Sequence, residues 1–376
     1  MHSENKIISV IMTSNLAYDQ RMQRILRCLY YEGYHLKVFS RKTADRSYHF
    51  SPENGNAKIA YEENYVPTFF QRSWLFYAEY NFRLFFKLLI SRQNIIYAVD
   101  ADTLMAVLCV RWLKGTKFIY DAHEFFEQSP EITGKKWIQK TWQVITIAGC
   151  RFSSLRITVG NMLADLLKKR YNKDFTVIRN IPDTAVTPSQ ISSRQKIIWY
   201  QGVLNIGRGL SEIIRCMPLL PEYSLILAGT GDIEDQLKDL VKKLLLQDRV
   251  IFKGPLSPAA LIEASKSARI GINLLDGSNR NYFYSLANRT FDFINMELPA
   301  IHMNFPEYVM LLKKHHVGIT ISDLNQQTII NAVRSFENEQ YYLQLVSACR
   351  EAKVDYSSRT ELLPLLQWLK KEFSEV

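Results

Sequence analysis

The sequence predicts an α/β protein made of two doubly wound, parallel-sheet units covered by helices. Three observations predict it. Short β-branched runs alternate with longer amphipathic stretches through most of the chain, the pattern of parallel strands joined by helical crossovers. One segment, 179–195 (RNIPDTAVTPSQISSRQ), breaks that alternation with two prolines, many small polar residues and no apolar period. The chain is also 376 residues long, about two domains at roughly 100–200 residues each.

In order, strands are expected at 7–12 (IISVIM), 35–39 (HLKVF), 95–99 (IIYAV), 117–120 (KFIY) and 155–159 (LRITV), and then at 197–201 (IIWYQ), 224–228 (SLILA), 249–252 (RVIF), 269–274 (RIGINL) and 299–303 (PAIHM). Residues 19–33 place Met22, Ile25, Leu26, Leu29 and Tyr30 on one helical face, and Gly33 ends the run. Residues 233–246 and 257–267 read as helices of the same kind, and 360–373 as a late amphipathic helix. The expected organisation is a first domain over 1–180, a second over 196–355, and a terminal helix over 356–376 for which packing back on the first domain is an open arrangement. Two such sheets facing a central cleft would offer strand C-terminal edges on both sides, where α/β folds bind ligands.

With 47% hydrophobic and 22% charged residues, both halves can bury ordinary cores. No uncharged apolar run reaches the roughly 18 residues needed to span a bilayer. The N-terminus enters a strand-like run with no basic leader, so no signal peptide is expected. Five scattered cysteines suggest reduced core thiols and a cytoplasmic setting. Net charge is +10, and all of the excess is in the first half. Residues 1–180 hold 26 Lys and Arg against 16 Asp and Glu, while 181–376 hold 21 of each. A basic half beside a neutral half suggests that one half meets an anionic partner. Nucleic acid is not expected, because no basic-aromatic RNA motif or helix-turn-helix pattern occurs.

Four segments carry polar groups at expected strand ends. In TSNLAYDQRMQR (13–24), Asp19 can cap the helix, and Arg21 and Arg24 fall on one side of its first turns. YDAHEFFE (120–127) sets His123 between Asp121 and Glu124, suited to hydrogen bonding a polar ligand. No second His or Cys stands at ligand spacing, so a metal is rejected. QGVLNIGRGLSE (201–212) puts Arg208 between two glycines at a turn into a helix, where free amides and the dipole would assist its guanidinium in binding an anion. The AGTGD turn, with Gly229 and Gly231, has the same strand–glycine–helix form. Finally, NRNYFYSLANRTFDFINMELP (279–299) enters a helix bearing Asn288, Arg289 and Asp292, the first and last sharing a face. Amides there can hold a diphosphate, and Asp292 can accept two sugar hydroxyls. A separate stretch, 72–92, interleaves aromatics and leucines with Arg72, Arg83 and Lys87. It suits either a mostly buried helix with snorkelling cations or a face lying in an anionic membrane interface.

Taken together and in order, these segments resemble the retaining glycosyltransferases of the large family four, especially those of bacterial surface-polysaccharide (lipopolysaccharide or capsule) pathways. The likeness runs from about residue 6 to about 340. It is carried by YDQRMQRILRCLYYEGYHLKVF, by the DAHE motif at Asp121–Glu124, by Gly207–Gly209, by AGTGD and RVIFKGPLSPAAL, and by Ala287–Asp292 in place of Pro-Asn-Lys-x-x-Glu. The resemblance implies a GT-B fold of two Rossmann-like domains and a metal-independent retaining transferase of hexosyltransferase type. It implies no cofactor beyond a nucleoside-diphosphate sugar as donor, and a glycan or lipid-linked acceptor. It implies that Gly202, Arg208, Gly229, Gly231, Lys253, Tyr284, Ser285, Leu286, Asn288, Arg289 and Asp292 bind the donor. Of these, Arg208 and the weaker candidate Arg289 would face the diphosphate, amides near Ser285 and Leu286 would add bonds, and Asp292 would face the ribose. Tyr18, Asp19, Arg21, Arg24 and Glu124 would lie on the acceptor side of the first domain. His123, Arg208 and Asp292 would be the catalytic set. The sequence departs from the family at Tyr284 and Asp292, where two Glu are usual, at Arg289 for Lys, at Ala287 for Pro and at Glu297 for Gly. These departures change the expected sugar contacts and keep a catalytically weak or non-catalytic GT-B subunit of a polysaccharide-assembly complex as the alternative.

Overall fold

The computed structural model describes residues 6–16, 19–41, 60–70, 73–123, 125–126, 136–182, 190–278 and 280–374. The chain forms two compact units, Met1–Arg179 with Ser358–Val376, and Asn180–Ser357.

The first unit runs β1 (Ile7–Ile11), α1 (Gln20–Tyr31), β2 (His35–Arg41), β3 (Glu62–Val66), α2 (Ser73–Ile90), β4 (Ile95–Val99), α3 (Leu104–Lys114), β5 (Lys117–Ala122), α4 (Lys136–Phe152), β6 (Leu155–Thr158), α5 (Asn161–Tyr171) and β7 (Thr176–Val177). Its seven strands are parallel in the order β3-β2-β1-β4-β5-β6-β7. The order reverses between β1 and β4, which places a crevice at their carboxyl ends. β1 and β4 are buried on both faces, as uninterrupted apolar runs require. Side chains alternate across the sheet. Ile8 and Val10 face a core shared with α1, and Ile11 faces the core under α2, α3, α4 and α5.

The chain returns to this unit at its end. Helix α14 (Ser358–Ser374) lays Leu362, Leu365, Leu366 and Leu369 into the core beside α1. Fully burying a leucine contributes roughly 1.5–3 kcal/mol, so these four supply an amount comparable with the whole stability of a domain. Glu361 in its first turn accepts from Arg179 N at 2.8 Å and Arg179 Nη1 at 2.9 Å.

The second unit holds β8 (Ile197–Gln201), α6 (Leu210–Cys216), β9 (Ser224–Ala228), α7 (Glu234–Lys243), β10 (Val250–Gly254), α8 (Pro258–Ser265), β11 (Ile270–Asn273), α9 (Arg280–Phe283), α10 (Arg289–Asn295), β12 (Ala300–Met303), α11 (Pro306–Lys314), β13 (Gly318–Ile321), α12 (Gln326–Ser335) and α13 (Glu339–Asp355). Its six parallel strands are ordered β10-β9-β8-β11-β12-β13, with the reversal between β8 and β11. Part of the segment expected as a bare boundary is bound to this unit. Buried Arg194 donates through Nη1 to Glu297 O at 2.7 Å and Tyr342 Oη at 2.9 Å, and through Nη2 to Met296 O at 3.1 Å.

Three strands fall outside the sequence expectations. β3 (EENYV) is an edge strand with exposed glutamates, β7 is two residues long, and β13 (GITI) lies at the sheet's far edge. Short edge strands lack the apolar run that marks a central one.

Candidate functional site

In the second unit the polar groups gather where β8 and β11 end. Gln201, the last residue of β8, accepts from Trp199 Nε1 at 2.9 Å through Oε1, which turns its Nε2 to donate to Asp292 Oδ2 at 2.8 Å. The turn that follows is tied to the turn after β9 by Gly202 N donating to Ala228 O at 2.9 Å and Leu204 N to Thr230 O at 3.0 Å. The approach is too close for a side chain. At Gly229 (φ +144°) a Cβ would stand 1.9 Å from Gly202 O. Gly202, Gly229 and Gly231 therefore form one backbone surface, with Asn205 Oδ1 accepting from Asp232 N at 3.0 Å.

Two guanidiniums flank it. Arg208 stacks over the Tyr282 ring at 4.7 Å, and its buried Nε has no hydrogen-bond partner among the described residues. Gly209, left-handed at φ +65°, then opens α6 with no room for a Cβ against Leu274. Arg289 opens α10 and is almost wholly buried. Its Nε donates to Asn273 Oδ1, its Nη1 donates to Gln201 O at 3.1 Å, and its plane lies 4.5 Å over Tyr200. Its buried Nη2 has no hydrogen-bond partner among the described residues. Both cations act on one phenol. Burial raises the pKa of Tyr308, and the charges of Arg289 and Arg208 oppose that rise. Arg208 and Arg289 thus lie in one region, and Asp292 is one turn beyond Arg289. Unused cationic donors beside bare backbone suit a phosphorylated ligand.

The other expected donor-side residues are less concentrated. Asn288 is exposed just before α10, and Tyr284 packs edge-on against Phe283. Ser285 N and Oγ both donate to Tyr282 O, at 3.2 and 2.9 Å, so its amide is already paired. Leu286 is half-buried against the core. Lys253 is exposed on edge strand β10, two strands from β8.

In the first unit the corresponding crevice holds a buried charge network. Asp121, at the end of β5, accepts from Arg21 Nη2 at 2.9 Å, Arg21 Nε at 3.1 Å and Tyr97 Oη at 2.6 Å. Arg21 Nη1 donates to Ile178 O at 2.6 Å, so all three of its nitrogens are engaged inside the fold. His123 bridges two carboxylates. Nε2 is 3.1 Å from Asp121 Oδ2 and Nδ1 is 3.6 Å from Asp100 Oδ2, while its backbone N donates to Asp100 Oδ1 at 2.9 Å. Burial alone would lower the imidazole pKa, but Asp100 and Asp121 raise it to about 9. The charged ring donates to Asp121, and Arg21 Nε, 3.1 Å from His123 Nε2, is a second donor to the same oxygen rather than a donor to the ring. Burial likewise works against ionised Asp121, but Arg21 and His123 hold it well below the usual carboxylate range.

Sequence reasoning missed two carboxylates here. Asp100 sits at φ 56°, ψ 171°, a backbone region nearly reserved for glycine. Asp102 is buried, accepts from Thr13 Oγ1 at 2.5 Å, and is raised by burial and by Asp100 to about 7. Asp-x-Asp directly after a buried strand was the available signal. Gln201, Asn273 and His302 were also missed, since each reads as an ordinary strand residue. Asp19 caps α1, with Oδ1 accepting from Met22 N at 3.0 Å, and half-buried Arg24 donates to Gln20 Oε1 at 3.3 Å. Tyr18 and Glu124 lie outside the described residues.

The glycine turn, Arg208 and β8 to β11 lie in the part of the chain that is similar to one known sequence family. Residues 183–273 match the glycosyl transferases group 1 family. An uncharacterized glycosyltransferase, MJ1607 of Methanocaldococcus jannaschii, is 32% identical over 83 residues, which is 21% of this chain and 21% of that protein. The match thus spans about a fifth of the curated relative. Among solved structures, sucrose-phosphate synthase from Thermosynechococcus elongatus superposes with TM-score 0.78 at 13% identity, covering 99% of this chain and 100% of that one. Anabaena Alr3699/HepE in complex with UDP-glucose gives 0.70 at 13%, covering 98% and 100%. WaaG, a glycosyltransferase involved in lipopolysaccharide biosynthesis, gives 0.69 at 13%, covering 96% and 98%. At such identities the likeness is one of fold, and the fold is GT-B.

Proposed function

We propose that this protein is a retaining, metal-independent glycosyltransferase that moves a sugar from a nucleoside diphosphate to a lipid-linked glycan acceptor. The observation that carries the reading is the pair of guanidiniums at the ends of β8 and β11, each with a buried nitrogen that no described group satisfies. Burying an unsatisfied donor costs about 1–3 kcal/mol, so such groups persist where a ligand completes them. Arg208 and Arg289 would take the diphosphate, and Asp292, turned by Gln201, would accept the ribose hydroxyls. As the leaving phosphate gains charge in the transition state, Arg208 would stabilise it. His123, charged at neutral pH, would donate rather than accept, suiting it to orient a hydroxyl in the first unit and not to deprotonate one.

The same reading places the enzyme at an anionic membrane surface. Helices α2, α3 and α4 cover one face of the first sheet and leave Trp74, Phe82, Phe86, Trp112 and Trp137 exposed. They carry seven Lys and Arg against one acid, Glu79, which is already bonded to Arg83 and to the amides of Phe69 and Phe70. Exposed aromatics set among cations favour interfacial lipid. Among the described residues no helix is long and apolar enough to cross a membrane, so the attachment would be peripheral.

A thermal-shift panel of UDP-, GDP-, ADP- and dTDP-sugars tests the central reading. A ligand at 100 times its dissociation constant stabilises by about 2.7 kcal/mol. Stabilisation by one of the four is expected, and no response to any would refute it.

A further inference from the structure

We infer that Asn273 and His302 are positioning residues that aim Arg289 at the donor's phosphates, an inference that rests on the donor-site reading of the second unit. The two residues are register partners across β11 and β12 and are fully buried. A guanidinium has only donors, so Arg289 Nε fixes which end of the Asn273 amide faces it, namely Oδ1. The amide nitrogen must then face the other way. There it donates to Thr290 Oγ1 at 3.0 Å and to His302 Nδ1 at 3.1 Å.

That last bond requires a bare lone pair on Nδ1, and therefore a neutral imidazole with its proton on Nε2. The surroundings keep it neutral. Tyr308 of α11 stacks on the ring at 4.9 Å and 26°, and no carboxylate is bonded to it among the described residues. Arg289 on α10 is the near cation, and burial together with that charge lowers the His302 pKa to about 3. Protonation would set two cations side by side and turn the Asn273 contact into donor against donor. The line His302–Asn273–Arg289 thus has one satisfactory arrangement of hydrogens.

Its output is the direction of one group. With Nε held by Asn273, Nη1 by Gln201 O and the plane stacked on Tyr200, the guanidinium cannot rotate, and Nη2 is left with its donors unmatched. Without Asn273 in this setting the side chain would regain the rotamer freedom that weakens a point contact to phosphate.

The test compares His302→Phe with His302→Asn, reading the dissociation constant of UDP, GDP, ADP and dTDP by calorimetry and the melting temperature beside it. Phe keeps the stack on Tyr308 but offers Asn273 no acceptor. Asn loses the ring but keeps an acceptor oxygen. A positioning role predicts a loss of about tenfold or more in diphosphate affinity for His302→Phe and a loss within about threefold for His302→Asn. A packing role predicts the reverse order, and that order would overturn the inference. Should His302→Phe fail to fold, 15N-histidine spectra of the wild type decide instead. The relay requires a neutral Nε2–H ring from pH 5 to 8, and a charged ring in that range would overturn it. If the wild type binds none of the four diphosphates, the donor-site reading itself fails and this role falls with it. A wild type that binds, with the two variants ranked by packing, removes the relay alone.

Discussion

Raising the pH from 6.5 to 9 is expected to weaken the first unit through His123. The folded-state pKa, about 9, is above the unfolded value of 6.5. The stabilisation is therefore fully present below pH 6.5 and is lost as pH rises through 9. At 1.36 kcal/mol per pH unit the interval corresponds to an upper limit of roughly 3 kcal/mol. The ring keeps 21% of its surface exposed, so water screens part of the interaction, and a loss of about 1–2 kcal/mol is the working figure. Asp102 acts in the same direction at lower pH. Its pKa is raised from 3.8 to about 7, so its contribution also falls as pH rises, but it is complete by about pH 7. Calorimetric melting at pH 6.0, 7.5 and 9.0 separates the two. About three-fifths of that loss falls between pH 7.5 and 9.0, where the wild type should lose roughly 1–5 °C in the first unit's transition, at about 2–4 °C per kcal/mol for a unit of this size. His123→Gln should be less stable at pH 6.0 and nearly flat from 7.5 to 9.0. A variant with the wild-type slope would show that another group titrates and that the imidazole is not the cation between Asp100 and Asp121.

Three further outcomes follow. Arg208→Ala should weaken nucleoside-diphosphate binding by about 1.5–3 kcal/mol in calorimetry, the scale of a hydrogen bond to a charged group, with little change in melting temperature. Leu366→Ala, in the α14 face buried beside α1, should cost the first unit about 2–5 kcal/mol in urea unfolding and leave the second unit's transition in place. In sedimentation with phosphatidylglycerol and phosphatidylcholine vesicles, the wild type should bind only the anionic ones, and less at 1 M salt. Trp74→Ala with Phe86→Ala should reduce that binding, and equal, negligible binding to both vesicle types would leave the α2–α4 face unexplained.

The alternation of β-branched runs and amphipathic stretches was enough to read two parallel α/β units, because central strands such as IISVI and IIWYQ are buried on both faces and show it in composition. β3 was not legible, since an edge strand with glutamates exposed carries no apolar signature. Arg208, Asp292 and the glycines were legible as strand-end polar groups. What spacing could not show is which of them the fold uses internally. Arg21 and Arg24 look alike on a helix wheel, yet among the described residues Arg21 reaches a buried carboxylate across 100 positions while Arg24 reaches Gln20 one turn away. The groups that hold Arg289, Asn273 and behind it His302, come from two neighbouring strands that the sequence separates by 29 positions. Long-range pairing of this kind leaves no local pattern.

The most direct test of the central claim is turnover. Whichever sugar nucleotide stabilises the protein should be incubated with it, with water and with lipid-linked glycan acceptors, and the released nucleoside diphosphate measured. Release by the wild type is expected, with a loss of 100-fold or more in Arg208→Ala, the scale seen when a group that stabilises developing charge is removed. Tight binding with no release on any acceptor would contradict it and leave a GT-B subunit that holds a sugar nucleotide without transferring it.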